Sequence, residues 1–187
     1  RDYRSSRRLG DVYKRQVGTA GQRCTTLRRL IVHNSVYDVL LEKLKSAYAS
    51  LPVGDNFKEE TLVGPLINQE SADRMLSVLE QAKAKGYTVH GGEVVEGCTV
   101  RPAIVEATEQ CDLIKTETFA PILYVLKYTD LEEAINIHNA VPQGLSSCIF
   151  TDNVQEAETF TSAVGSDCGI VNILSLIHIS EPTRRPI

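Results

Sequence analysis

Leu30-Ile31-Val32-His33-Asn34-Ser35-Val36, continuing to Ser50, is the stretch that sets the architecture. Leu30, Ile31 and Val32 form a short β-prone run, which the polar His33-Asn34-Ser35 ends. From Val36 the periodicity changes. Val36, Val39, Leu40, Leu44, Ala47 and Leu51 recur at three- and four-residue spacing, with Glu42, Lys43 and Lys45 on the other face. That spacing predicts a helix over 36–50, stopped by Pro52 and Gly54.

Downstream, 55–65 reads as an irregular loop punctuated by Gly64-Pro65. A second helix is predicted over 69–85, with Asn68 as N-cap, Gly86 just past the end, and an apolar stripe of Ala72, Met75, Leu76, Leu79 and Ala82. Short β-prone pieces follow at 88–90, 94–95 and 99–100, with Gly91-Gly92 as a turn and Pro102 beyond. A longer strand is predicted over 122–128. Asp130 followed by Glu133 reads as a helix start for Leu131, Ala134, Ile135 and His138. A strand over 146–151, a helix over 154–164 and a strand over 168–173 complete the chain. Strands alternating with helices predict an α/β fold with a mainly parallel sheet covered by helices. The chain contains no internal repeat and no Gly-x-Gly-x-x-Gly, so a Rossmann fingerprint is absent from it.

The 187 residues suffice for a domain with a real core. Hydrophobic residues at 42% and charged residues at 24% are ordinary for a globular chain. A net charge of −4 argues against a nucleic-acid partner, because no basic field is present to neutralise phosphates. No apolar run approaches the roughly 20 residues that span a bilayer, so no membrane partner is expected. Five cysteines, an odd number with no Cys-x-x-Cys, exclude an obvious disulfide framework. His33, His90, His138 and His178 share no ligand spacing, so no metal site is expected. The compartment expected is cytosol or mitochondrial matrix.

Arg1, Arg4, Arg7, Arg8, Lys14 and Arg15 crowd the start. An Arg-rich start can be a targeting segment, but Asp2 and Asp11 argue against one. The strings DVYKRQ (11–16) and SLIHISEPTRRPI (175–187) resemble translated sequencing-adapter sequence. Residues 1–16 and 174–187 are therefore expected to be non-native flanks around a single portion, 17–173.

Val17-Gly18-Thr19-Ala20-Gly21-Gln22-Arg23-Cys24-Thr25-Thr26 carries the chemistry. Glycines let the backbone turn sharply and approach a ligand closely. A cysteine at such a turn, opening a helix, would sit near free amide N–H groups and the positive helix end. Both favour a thiolate able to attack a carbonyl. A buried, inert cysteine is the competing reading of that spacing.

Gly21-Gln22-Arg23-Cys24 resembles the nucleophile motif of the aldehyde dehydrogenase superfamily. Thr116-Glu117-Thr118-Phe119-Ala120-Pro121 resembles its Glu-x-Phe-x-Pro cofactor motif. Gly144-Leu145-Ser146-Ser147-Cys148-Ile149-Phe150-Thr151 and Gly165-Ser166-Asp167-Cys168-Gly169-Ile170-Val171-Asn172 resemble two later strands of that family, in the right order. The detailed spelling resembles the antiquitin group, similar to α-aminoadipic semialdehyde dehydrogenases of lysine breakdown.

The resemblance implies the catalytic (cysteine) domain of an NAD-dependent enzyme that oxidises a small-molecule aldehyde. Cys24 is the implied nucleophile, forming a thiohemiacetal and then a thioester. Glu117 and Phe119 are implied to bind the cofactor, at its nicotinamide ribose and ring. Arg23 and Asn172 are implied on the substrate side, Arg23 because a guanidinium offers a two-pronged donor to a carboxylate. Cys148 and Cys168 are expected to be buried small hydrophobes. The family's general-base glutamate, oxyanion asparagine and dinucleotide-binding region are not among these residues. The isolated chain is therefore expected to be inactive and to associate, and the full-length protein to be a homotetramer. Rival readings are a cofactor-independent cysteine acyltransferase or thioesterase, which needs a histidine beside Cys24, and a non-catalytic structural module.

Overall fold

Strand β1 (Arg29–His33) runs directly into helix α1 (Asn34–Ala49) in the computed structural model, which describes residues 16–174. His33 makes the junction, its Nδ1 accepting from the Ser35 amide at 3.3 Å. The buried face of α1 is Tyr37, Leu41, Leu44 and Tyr48. Val36 and Val39, expected inside, are 52% and 63% exposed. Two tyrosines, absent from an aliphatic count, bury their rings, and the core face turns away from the valines.

Helix α2 (Gln69–Ala84) buries Ala72, Met75, Leu79 and Ala82 of its expected stripe, while Leu76 is only half-buried. Asn68 caps it, Oδ1 accepting from the Ser71 amide at 2.9 Å. Gly86, at φ 84°, ends it in the left-handed region that glycine favours.

The remaining strands of this first unit (described residues 16–130) are β2 (Thr88–Gly91), β3 (Val94–Glu96), β4 (Thr99–Val100), β5 (Ala103–Ala107) and β6 (Ile122–Tyr128). The main sheet has the order β1-β6-β5-β2, with β1 and β5 parallel to β6 and β2 antiparallel at the edge. β3 and β4 form a small antiparallel pair. The fold is thus α/β with a mainly parallel sheet, as expected, but β5 was not foreseen. Ala103, Ile104, Val105 and Ala107 are all buried; a strand covered on both faces shows no alternation, and Pro102 reads as a stop. Helix α3 (Asp112–Lys115) was also missed. The 55–65 stretch has neither helix nor strand, apart from a bridge between Val53 and Val63.

The second unit (described residues 131–174) contains α4 (Leu131–Asn139), β7 (Ser146–Phe150), α5 (Val154–Thr161) and β8 (Ile170–Leu174). β7 and β8 are parallel, joined through α5. Asn153 caps α5 by accepting from the Gln155 and Glu156 amides. That helix ends three residues earlier than predicted. The chain then approaches itself so closely that a Cβ on Gly165 would lie 2.2 Å from the Phe160 carbonyl oxygen. Asn139 holds this turn to α4, donating to the Gly165 carbonyl at 2.8 Å and accepting from the Asp167 amide at 3.0 Å. Cys168 therefore lies before β8, not within it, and both Cys148 and Cys168 are half-buried where full burial was expected.

The expected flanks lie outside the described residues except at their inner ends. Gln16 is buried, its Oε1 accepting from Tyr48 Oη at 2.8 Å, and Leu174 closes β8. Among the described residues no helix is long and apolar enough to cross a membrane.

Candidate active site

A 3-10 turn, Gly18–Gly21, brings the chain to the candidate nucleophile. Thr19, Ala20 and Gly21 have φ of 58°, 51° and 72°. A β-branched residue at positive φ is strained backbone, and Gln22 helps hold it. Its amide and its Nε2 both donate to the Thr19 carbonyl at 3.1 Å, while its Oε1 accepts from the Ile67 amide at 2.9 Å.

A second turn follows at once. The Thr26 amide donates to the Arg23 carbonyl, and the Arg23 amide donates to Thr26 Oγ1, both at 3.1 Å. Cys24 and Thr25 form its corner, and Cys24 is exposed. The turn was foreseen; the helix expected to open at Cys24 was not formed. The hydroxyl of buried Thr26 bonds back to the backbone, an alternative to a helical hydrogen bond, and the chain goes on to β1 without forming a helix.

The segment preceding β6 meets the first of these turns, at Gly21. A Cβ on Gly21 would lie 2.4 Å from the Ala120 carbonyl oxygen and 2.8 Å from the Pro121 nitrogen. The Gly21-to-Cys24 motif and the Glu117-to-Pro121 motif, nearly a hundred residues apart, are thus in backbone contact. Phe119, at φ 54°, is 40% exposed between buried Thr118 and Ala120. Arg28 was not singled out in the sequence. It pairs through Nη1 with Glu117 Oε1, and its Cζ stands 4.6 Å from the centre of the Phe119 ring. No periodicity marks it; its place between the motif and β1 is the only sequence signal. An exposed aromatic face and a carboxylate with acceptor capacity beyond one ion pair fit a nicotinamide riboside in chemical type.

Arg23 is exposed, its backbone closing the Cys24 turn. Asn172 is exposed on β8 in the second unit, its Nδ2 donating to the Ser147 carbonyl at 3.5 Å. The described histidines are engaged elsewhere: His33 with Ser35 and Thr129, His90 with Glu106, and His138 with Ser166. His178 lies outside the described residues. No cluster of metal-ligating side chains occurs among the described residues.

A second distinctive thiol was missed. Burial raises the pKa of Cys111, but a hydrogen bond from Tyr87 and the amides of Ile114 and Leu113 outweigh burial and bring it below the ordinary value. Tyr87, pushed up to about 12 mainly by burial, shares its single proton between Cys111 Sγ at 3.5 Å and the Glu109 carbonyl at 3.2 Å.

The sequence model described as "Aldehyde dehydrogenase family" matches residues 6–184. A putative aldehyde dehydrogenase family 7 member A1 homolog of Caenorhabditis elegans is 50% identical over 163 residues, covering 84% of this chain and 31% of its own length. The α-aminoadipic semialdehyde dehydrogenase of Bos taurus is 45% identical over 161 residues, covering 84% and 30%. The chain thus spans about a third of the length of the curated relatives it matches. Among solved structures, the betaine aldehyde dehydrogenase of Staphylococcus aureus in complex with NAD+ superposes with a TM-score of 0.83 at 25% identity, over 88% of this chain and 34% of that one. The glyceraldehyde-3-phosphate dehydrogenase of Methanocaldococcus jannaschii complexed with NADP does so with 0.82 at 32% identity, over 88% and 36%.

Proposed function

Because the chain belongs to the aldehyde dehydrogenase family, we propose that it carries the nucleophile of an enzyme oxidising an aldehyde to a carboxylic acid, and that Cys24 is that nucleophile. One observation carries the assignment to Cys24: Gly21, three residues before it, lies against the backbone of the segment bearing Glu117 and Phe119, while the thiol is exposed. The Cys24 thiolate adds to the aldehyde carbon, giving a thiohemiacetal. A bound nicotinamide dinucleotide, proposed to be NAD, supplies the hydride acceptor. Cys24 then holds the acyl group as a thioester until water releases the acid and frees the thiol. Glu117 binds the ribose hydroxyls and Phe119 lies beside the ring. Neither His33 nor His90, the histidines described in the same unit as Cys24, bonds to its thiol, which disfavours an acyltransferase.

The proposed substrate is a semialdehyde with a charged far end, such as α-aminoadipic semialdehyde. Support comes from the name of the Bos taurus relative and from exposed Arg23 beside the nucleophile. Asn172 is proposed on the substrate side. The isolated chain is proposed to be inactive, and the full-length protein to be a homotetramer.

Limiting iodoacetamide with mass-spectrometric readout tests the assignment. In a full-length protein, Cys24 labels before the other cysteines, aldehyde-dependent NADH formation falls in step, and NAD protects. Full activity after complete Cys24 labelling overturns it. Reduction of NADP in preference to NAD reassigns the cofactor.

A further inference from the structure

We propose that Arg28 is a positioning residue for the dinucleotide site, a single guanidinium that fixes both Glu117 and Phe119. The inference rests on the reading of those two side chains as the cofactor contacts. Phe119 is difficult to hold in place by itself. Its backbone is in the left-handed region, at φ 54°, and the residue is substantially exposed, so little core packing restrains it. Glu117 is likewise half-exposed. Arg28 meets both: Nη1 ion-pairs with Glu117 Oε1, while the guanidinium stands over the Phe119 ring. A planar, delocalised cation can bond in its plane and present its face to an aromatic ring, which an ammonium cannot do equally well.

Arg28 is itself anchored. Its carbonyl accepts from the Tyr124 amide at 2.9 Å, where β1 begins to pair with β6. The guanidinium therefore starts from the rigid sheet, and the motif it grips lies in the loop before β6. Its Nη2 is buried with no partner among the described residues. A buried donor left unsatisfied is destabilising, so the favourable contacts of this guanidinium are those it makes with Glu117 and Phe119. Placement of those two cofactor contacts accounts for an arginine here.

The test compares Arg28→Met and Arg28→Lys with wild type in a full-length protein, by amide hydrogen exchange and steady-state kinetics. Arg28→Met is expected to speed exchange over 117–120 about tenfold, with the β6 amides unmoved. It should raise the dinucleotide KM about tenfold while kcat falls much less. Arg28→Lys should keep part of the Glu117 pairing and show intermediate effects. Glu117→Gln combined with Arg28→Met should be little worse than the poorer single variant, because both act through one pair. Unchanged exchange over 117–120 overturns the proposal, as does looser exchange with an unchanged KM. Should Arg28→Met unfold the protein, seen as faster exchange throughout β6, Arg28→Lys decides by the same criteria. A wild-type protein that bound no dinucleotide would refute the functional reading, while exchange would still decide whether Arg28 orders the segment that carries the two side chains.

Discussion

Gly21 sits so close to Ala120 that a single added carbon would lie 2.4 Å from the Ala120 carbonyl oxygen. Its φ of 72° also belongs to the region that side chains disfavour. Gly21→Ala therefore combines backbone strain with a collision against main chain, which cannot rotate away. The expected loss is about 2–4 kcal/mol, from roughly 1–2 for the left-handed conformation plus a similar overpacking cost. Gly86 supplies the control: its φ is 84°, but no atom lies within 4 Å of an added Cβ. Gly86→Ala should cost only about 1–2 kcal/mol. Urea unfolding of both variants checks this, and equal losses would show that the contact with Ala120 contributes nothing.

The contrast between these glycines shows how far the sequence could be read. Periodicity located α2 and its stripe, Asn68 and Gly86 marked its ends, and β6 stood out after Pro121. Such features are local, and local physics determines them. The valines of α1 were misassigned because which side of a mixed stripe turns inward depends on what packs against it. β5 was missed because complete burial removes alternation. At the site, the motif segments were legible, and so was a turn at Cys24. The backbone contact of Gly21 with Ala120 and the grip of Arg28 on Glu117 and Phe119 join distant segments. No spacing encodes them.

Glu106 lies at a junction of α1, β2 and β5, its Oε1 accepting from Lys45 Nζ at 2.9 Å and His90 Nε2 at 2.6 Å. Burial opposes its ionisation, but these hydrogen bonds outweigh burial and hold the carboxyl below its ordinary range. A folded pKa below the unfolded one contributes stability that is complete above the unfolded value and is lost as pH falls through the folded value. Lys45 is raised, chiefly by its hydrogen bond to Glu106, so its share is complete below the ordinary lysine pKa and is lost as pH rises through the raised value. Glu106→Gln should remove about 1 kcal/mol near neutral pH, flatten the acid limb of the stability profile, and weaken the alkaline one. Urea midpoints measured from acid to alkaline pH test this; a profile parallel to wild type would contradict it.

Alkylation separates the cysteines by two different causes. Cys24 is the exposed thiol, whereas Cys98, Cys111, Cys148 and Cys168 are half-buried. Cys24 should label first. Cys111 should follow, because its hydrogen-bond donors enlarge its thiolate fraction. Tyr87→Phe removes one donor, so the Cys111 pKa rises and its labelling near neutral pH slows about two- to fivefold, on the scale of a weak hydrogen bond, while Cys24 is unaffected. Rates from mass spectrometry across pH decide the point, and an unchanged Cys111 rate would exclude Tyr87 as a donor that matters.

Val36 and Val39 lie one turn apart on α1, both more than half exposed. Phe57 and Ile67 are exposed on loops of the same unit, at 93% and 80%. Apolar side chains so open to water favour association by removing that area from solvent, at about 25 cal/mol for each Å2. The isolated chain is expected to associate reversibly at tens of micromolar. Placing glutamates at both valines should shift the balance toward monomer with little loss of fold, because neither side chain contributes to the core. Phe57→Ser, on an irregular loop, is the companion variant for the other surface. Sedimentation velocity over a concentration series measures the effect. A wild-type chain that stays monomeric throughout would mean that these side chains are too dispersed to drive association.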